Sequence, residues 1–131
     1  MLPTQSQRIE LDVASVWRDQ TGVIHVRFNP GVPHGLAAAQ QVVEAHVRLA
    51  DGQTCVVLAD IRNVSKGADR SARKYYVSEE GAYLKSAMAM VADSPIQRMI
   101  GNLFLQISRP PYPTRLFGNP QDALAWLNRF A

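Results

Sequence analysis

Apolar residues recur along this chain at two periods, two and about 3.6, and each change of period marks a change of element. Ile9, Leu11, Val13 and Val16 are apolar in a partly alternating stretch to Trp17, and Asp19-Gln20-Thr21-Gly22 supplies turn residues. From Val23 to Phe28 the alternation is clean, with Ile24, Val26 and Phe28 on one face and His25 and Arg27 on the other. Two strands around a Gly-containing turn predict a β-hairpin. Asn29-Pro30-Gly31-Val32-Pro33 breaks the pattern. Leu36 to Ala50 is then helical in spacing, with Leu36, Ala39, Val43, Val47 and Ala50 as its apolar stripe and Asp51-Gly52 as its stop. Cys55 to Ala59 is a continuous apolar run, the mark of a central strand covered on both faces.

The second half repeats the alternation of strand and helix. Ala72 to Val77 predicts a helical piece, and Ser78, with Glu79 and Glu80 behind it, predicts a second. Ala87 to Ala92 reads as another buried strand. Ser94-Pro95-Ile96-Gln97 is a capping box, with Ser at N-cap, Pro at N1 and Gln at N3. The helix it opens carries Ile96, Met99, Ile100, Leu103, Phe104 and Ile107 on an apolar face. Arg109 to Pro113 is a rigid connector and Thr114 to Gly118 a short strand. Asn119-Pro120-Gln121-Asp122 caps a final helix, which docks through Ala123, Leu124, Trp126, Leu127 and Phe130. The expected fold is α/β: an N-terminal hairpin, then alternating helix and strand, in a mixed sheet of about five strands with about four to five helices.

Composition narrows the class. At 131 residues, 47% hydrophobic and 19% charged, the chain reads as one globular domain over 9–131 behind a tail of residues 1–8. A single cysteine, Cys55, excludes an internal disulfide framework and suits a reducing, cytoplasmic setting as a small buried hydrophobe. The N-terminus lacks the basic and apolar regions of a secretory signal, and no apolar run is long enough to span a membrane. A net charge of +3, spread along the chain without basic–aromatic alternation, argues against nucleic acid as a partner.

Several segments carry a family resemblance: ADIRNV, ARKYY, SPIQRMIGNLFL and PTRLFGNPQDALAWL, together with WRDQTGVIHVRF. In these and in the order of elements the chain resembles the STAS-like domains, the SpoIIAA-like anti-sigma-factor-antagonist superfamily. The likeness is closest to a bacterial branch of short single-domain members. The resemblance implies the mixed sheet above and a non-enzymatic, protein-binding role. In regulatory STAS domains a strand ends in Asp, and a loop leads to an Asp-Ser-Ser-Gly-type segment at a helix N-terminus, where a partner kinase phosphorylates one serine. Asp60 matches the strand end, Asp69 lies nearly in register, and Ser71 is the counterpart of the modified serine. Arg70 follows Asp69, and Ala72 replaces the glycine.

The candidate chemistry concentrates after the central strand. Arg62, Lys66, Arg70, Arg73 and Lys74 crowd one helix N-terminus with Asp69 as the only acid, which suits an acidic partner or an anion; the plainer account is a solvated basic face. Ser65 and Ser71 are candidate phosphosites and, more simply, helix N-caps. Tyr75 and Tyr76 project about 100° apart, so one can enter the core while the other stays near the surface. His25, His34 and His46 have no metal-like spacing, and no GxSxG, P-loop or GxGxxG occurs. No metal, nucleotide or other cofactor is indicated.

Two functions are therefore expected. One is an interaction domain that docks a protein partner, or a second copy as a homodimer, through Asp60, Arg62, Lys66, Asp69, Arg70, Ser71, Arg73 and Tyr76. The other is a carrier for a small apolar or anionic ligand at the same sheet edge, walled by Met90, Phe104 and Tyr76. An internal cavity of several hundred Å³ would distinguish the carrier.

Overall fold

The computed structural model describes residues 8–131. Among them six strands form one sheet, ordered along its width as they are along the chain. They are β1 (Ile9–Glu10), β2 (Ala14–Arg18), β3 (Ile24–Phe28), β4 (Cys55–Asp60), β5 (Lys85–Val91) and β6 (Thr114–Phe117). The pairs β1–β2 and β2–β3 are antiparallel, and β3 to β6 run parallel. Helix α1 (Leu36–Ala50) joins β3 to β4, α2 (Arg70–Tyr76) joins β4 to β5, and α3 (Pro95–Leu103) leads toward β6. Helix α4 (Pro120–Leu127) follows β6.

Parallel neighbours in chain order, each joined by a right-handed crossover, place the connecting helices on one side of a sheet. The core divides accordingly. Val26, Val57, Ala59, Met88 and Met90 face the side of α1, α2 and α3. Val56, Leu58, Ala87, Ala89 and Val91 face the other way, onto Ala123 and Leu127 of α4. As expected for the middle of the sheet, β4 is buried along its whole length.

The mixed α/β architecture agrees with the sequence, and the details differ at several points. The first stretch is two strands, because a turn with Leu11 N–H donating to Ala14 O at 2.8 Å breaks it. After α2 there is a single turn where a second helix was expected: Ser78 Oγ accepts from Gly81 N–H at 3.1 Å, and Leu84 then turns to φ 62°. The buried side of α1 is centred on Val42, Val43, His46 and Leu49 rather than on Leu36 and Val47, since the helix packs against both the sheet and α2.

Ser94 and Asn119 cap α3 and α4 as their sequences predict, and the cap of α2 is Asp69. Ser65 and Ser71 cap nothing; both are exposed. On α3 only Ile100, followed by Phe104 and Leu105, packs on the core. Ile96, Met99, Leu103 and Ile107 remain exposed, Met99 by 64% and Ile107 by 63%, because the sheet meets one side of the helix only. Beyond α3 the chain widens into a π-helical turn, Phe104–Ser108. In α4, Trp126 is half-buried between Phe117 and Phe130 rather than in the core.

The expected N-terminal tail falls largely outside the described residues. Its last residue, Arg8, pairs with Glu10 at 2.6 Å and lies 4.3 Å over the Trp17 ring. Among the described residues no helix is long and apolar enough to cross a membrane.

Candidate functional site

Helix α2 has seven residues, about 10 Å of helix, whereas a strand of six residues such as β4 runs about 20 Å. The helix cannot cover the strand beneath it, and α3 covers only part of the remainder. A cavity of about 390 Å³ is left between the sheet and the helices. Val26, Val57, Ala59, Met88 and Met90 form its floor, and Val42, Tyr76, Ile100 and Phe104 close over it. The walls are mostly apolar, with a few polar groups gathered at two ends, the composition typical of a small-molecule site.

One end lies at the C-terminal ends of the strands, where Val64 to Asp69 leave β4. Asp69 Oδ1 accepts from Ala72 N–H at 2.9 Å, which holds the start of α2, and Asp69 N–H donates to His34 O at 3.0 Å, which ties that start to the α1 entry. The Arg73 guanidinium donates to Ala68 O at 2.6 Å. His34 Nε2 meets the Tyr76 hydroxyl at 2.6 Å, and its ring packs 5.0 Å from Phe28. Burial lowers the His34 pKa to about 4 despite the opposing charge of Asp69, and burial raises that of the Tyr76 phenol, so both are neutral at pH 7.

The other end lies at the N-terminal ends of β5 and β6. Tyr112 is 8% exposed, and its hydroxyl has no hydrogen-bond partner among the described residues; burial pushes its pKa up to about 12. Lys85 extends along the cavity with its amine 5.5 Å from the Tyr76 ring centre. The residue keeps partial exposure, as a wall of an open cavity must, yet protein surrounds the amine closely enough that burial brings its pKa down to about 8. Behind it His46, 1% exposed, donates from Nε2 to Leu84 O at 2.8 Å, and burial lowers its pKa to about 4.

The expected site residues divide into three groups. Met90, Phe104 and Tyr76 meet in the cavity, and Lys66, Asp69 and Arg73 stand at its outer end. Asp60 and Arg62 are paired with each other instead: Arg62 Nε donates to Oδ1 at 3.0 Å and Nη2 to Oδ2 at 2.8 Å. Burial opposes ionisation of Asp60, but the bonds from Arg62 outweigh it and hold the carboxyl below its ordinary range. Asp60 lies on the sheet face turned away from the cavity, in register with Arg27. Arg70, Ser71 and Ser65 are exposed and outside the cavity. Lys85, Tyr112 and His34 join the site unannounced by any motif. Among the described residues no cluster of His, Cys, Asp or Glu is arranged to hold a metal ion.

Four parallel strands behind an antiparallel hairpin, with three crossover helices on one side and one helix on the other, define a SpoIIAA-like, STAS-like α/β fold. A crystal structure of an uncharacterised DUF3478-family protein from Shewanella loihica, described as having a SpoIIAA-like fold, matches it with a TM-score of 0.62. That match covers 87% of this chain and 91% of the other at 16% identity, a likeness of fold alone. Residues 16–131 match the family described as Domain of unknown function (DUF7793), and the chain belongs to that family. No curated protein matches it.

Proposed function

We propose that this protein binds a small, largely apolar molecule in the cavity between the sheet and helices α1 to α3, without transforming it. The observation that carries this reading is a partly open, mostly apolar cavity of about 390 Å³, walled by Met90, Phe104 and Tyr76, in a domain otherwise small enough to fill its core with side chains. Burying an apolar ligand there recovers contacts that the walls lack when the cavity is empty. Cys55, buried and free, fits a cytoplasmic carrier.

A second reading has its own support. Arg70, Ser71 and Lys74 are exposed on α2, whose inner side walls the cavity, and would suit an acidic protein partner or a phosphorylation at Ser71. Native mass spectrometry of the protein purified from its own host cells separates the two. A small-molecule adduct that is lost on denaturation is the expected result. A bare mass, monomeric or dimeric, overturns the carrier reading in favour of docking.

A further inference from the structure

Resting on the reading of the cavity as a ligand site, we propose that its inner end, at Lys85 and Tyr112, receives the carboxylate of an amphipathic acid. The apolar body of that acid lies along Val57, Ala59, Met88 and Met90 toward the opening near Lys66 and Asp69.

The backbone makes Lys85 a cavity residue. Counting back from Met88 by strand alternation would put Ser86 over the cavity and Lys85 on the opposite face. The pairing of β4 with β5 shifts instead: Cys55 pairs with Lys85, but Val56 pairs with Ala87. This bulge turns Lys85 to the face of Cys55 and Met88. The preceding residue, Leu84, takes φ 62°, a conformation unfavourable for any side chain but glycine. Irregular backbone on both sides of one lysine thus directs a cationic group into an apolar chamber.

Among the described residues no group answers that charge, and Lys85 forms no ion pair. The groups facing it are His46 on α1, Tyr76 on α2 and Tyr112 ahead of β6, none of them acidic; Asp69 belongs to the far end and is engaged as the cap of α2. Tyr112 adds a buried hydroxyl that also lacks a partner. A lysine ammonium can only donate, and a phenol readily does, so the end of the cavity presents donors and wants a negatively charged acceptor. The two oxygens of a carboxylate can be met by these two groups, and the apolar walls on either side suit a singly charged head on an apolar body better than a multiply charged one. At the other end His34 is engaged by Tyr76 and Arg73 by Ala68, while Lys66, the other lysine of the lining, is exposed to solvent rather than enclosed. Val57 to Ile61 spans about 13 Å of strand, the reach of an extended chain of roughly ten carbons.

The test is calorimetric titration of decanoate and of decan-1-ol into the wild-type protein and into Lys85→Met and Tyr112→Phe, two variants that keep apolar bulk at their sites. Wild type should bind decanoate at least about tenfold tighter than the alcohol at pH 7, as a charged hydrogen bond predicts. Lys85→Met should abolish the preference, and Tyr112→Phe should reduce it. At pH 9, decanoate should draw up to one proton onto the wild-type protein, read from titrations in buffers of different ionisation enthalpy, and none onto Lys85→Met. Equal affinity of the two probes for wild type overturns the inference, as does a preference that survives in Lys85→Met. If neither probe binds, the carrier reading fails and the inference with it.

Discussion

At Lys85 the chain tolerates a group that works against its own folding, since an amine held among apolar walls is charged at neutral pH and has lost much of its hydration. Its folded pKa of about 8 lies below the ordinary lysine value, so between those two pH values the unfolded chain holds more protons than the folded one. Stability therefore rises with pH across that window, and the penalty is fully present below pH 8. Replacing the amine with a thioether should stabilise the ligand-free protein: Lys85→Met is expected to raise the unfolding free energy by about 1–3 kcal/mol at pH 7. The gain should shrink between pH 8 and 10.5, as measured by urea denaturation. A variant that is more stable and binds less well is the behaviour of a functional residue rather than a structural one. The same residue shows where sequence reading stops. Met90 and Phe104 are legible as inward-facing from hydrophobic period, and Tyr76 as one of two adjacent tyrosines of which one can enter the core; that the three wall a cavity rather than fill the core is not. Lys85 is not legible, because alternation cannot foresee a bulge, and Tyr112 is concealed among Pro110, Pro111 and Pro113 in what reads as a connector.

Elements were most legible where local chemistry and packing agree. The α1 bounds follow from its stripe and its Asp51-Gly52 stop, and α3 and α4 from Ser94-Pro95 and Asn119-Pro120, since each cap satisfies a backbone N–H whatever lies across the core. The segment after α2 misleads because Ser78, Glu79 and Glu80 make a sound helix start, yet the chain must reach β5 within a few residues. Its turn closes tightly on α2: a Cβ on Gly81 would lie 1.9 Å from the carbonyl oxygen of Tyr75. Gly81→Ala should accordingly cost about 2–4 kcal/mol, seen as a lower urea midpoint at unchanged slope. The face of α3 was legible as apolar but not as half exposed, because period reports which residues share a side and not what stands opposite it.

Across the whole molecule the two faces of the sheet are unequally served. Among the described residues three helices share one side, and α4 is the one helix over the central strands on the other, through the fully buried Leu127 and Ala123. Leu127→Ala should cost about 2–5 kcal/mol, measured by chemical denaturation, since no neighbouring helix can close the void. The strand order has a further consequence for how the chain assembles. Each strand pairs with the one made just before it, so the sheet can widen during synthesis in chain order, although each parallel pairing must wait for its crossover helix. The apolar surface of Val56, Leu58, Ala87, Ala89 and Val91 stays bare until α4 has emerged from the ribosome. A nascent chain halted before Pro120 is thus the species most in need of a chaperone.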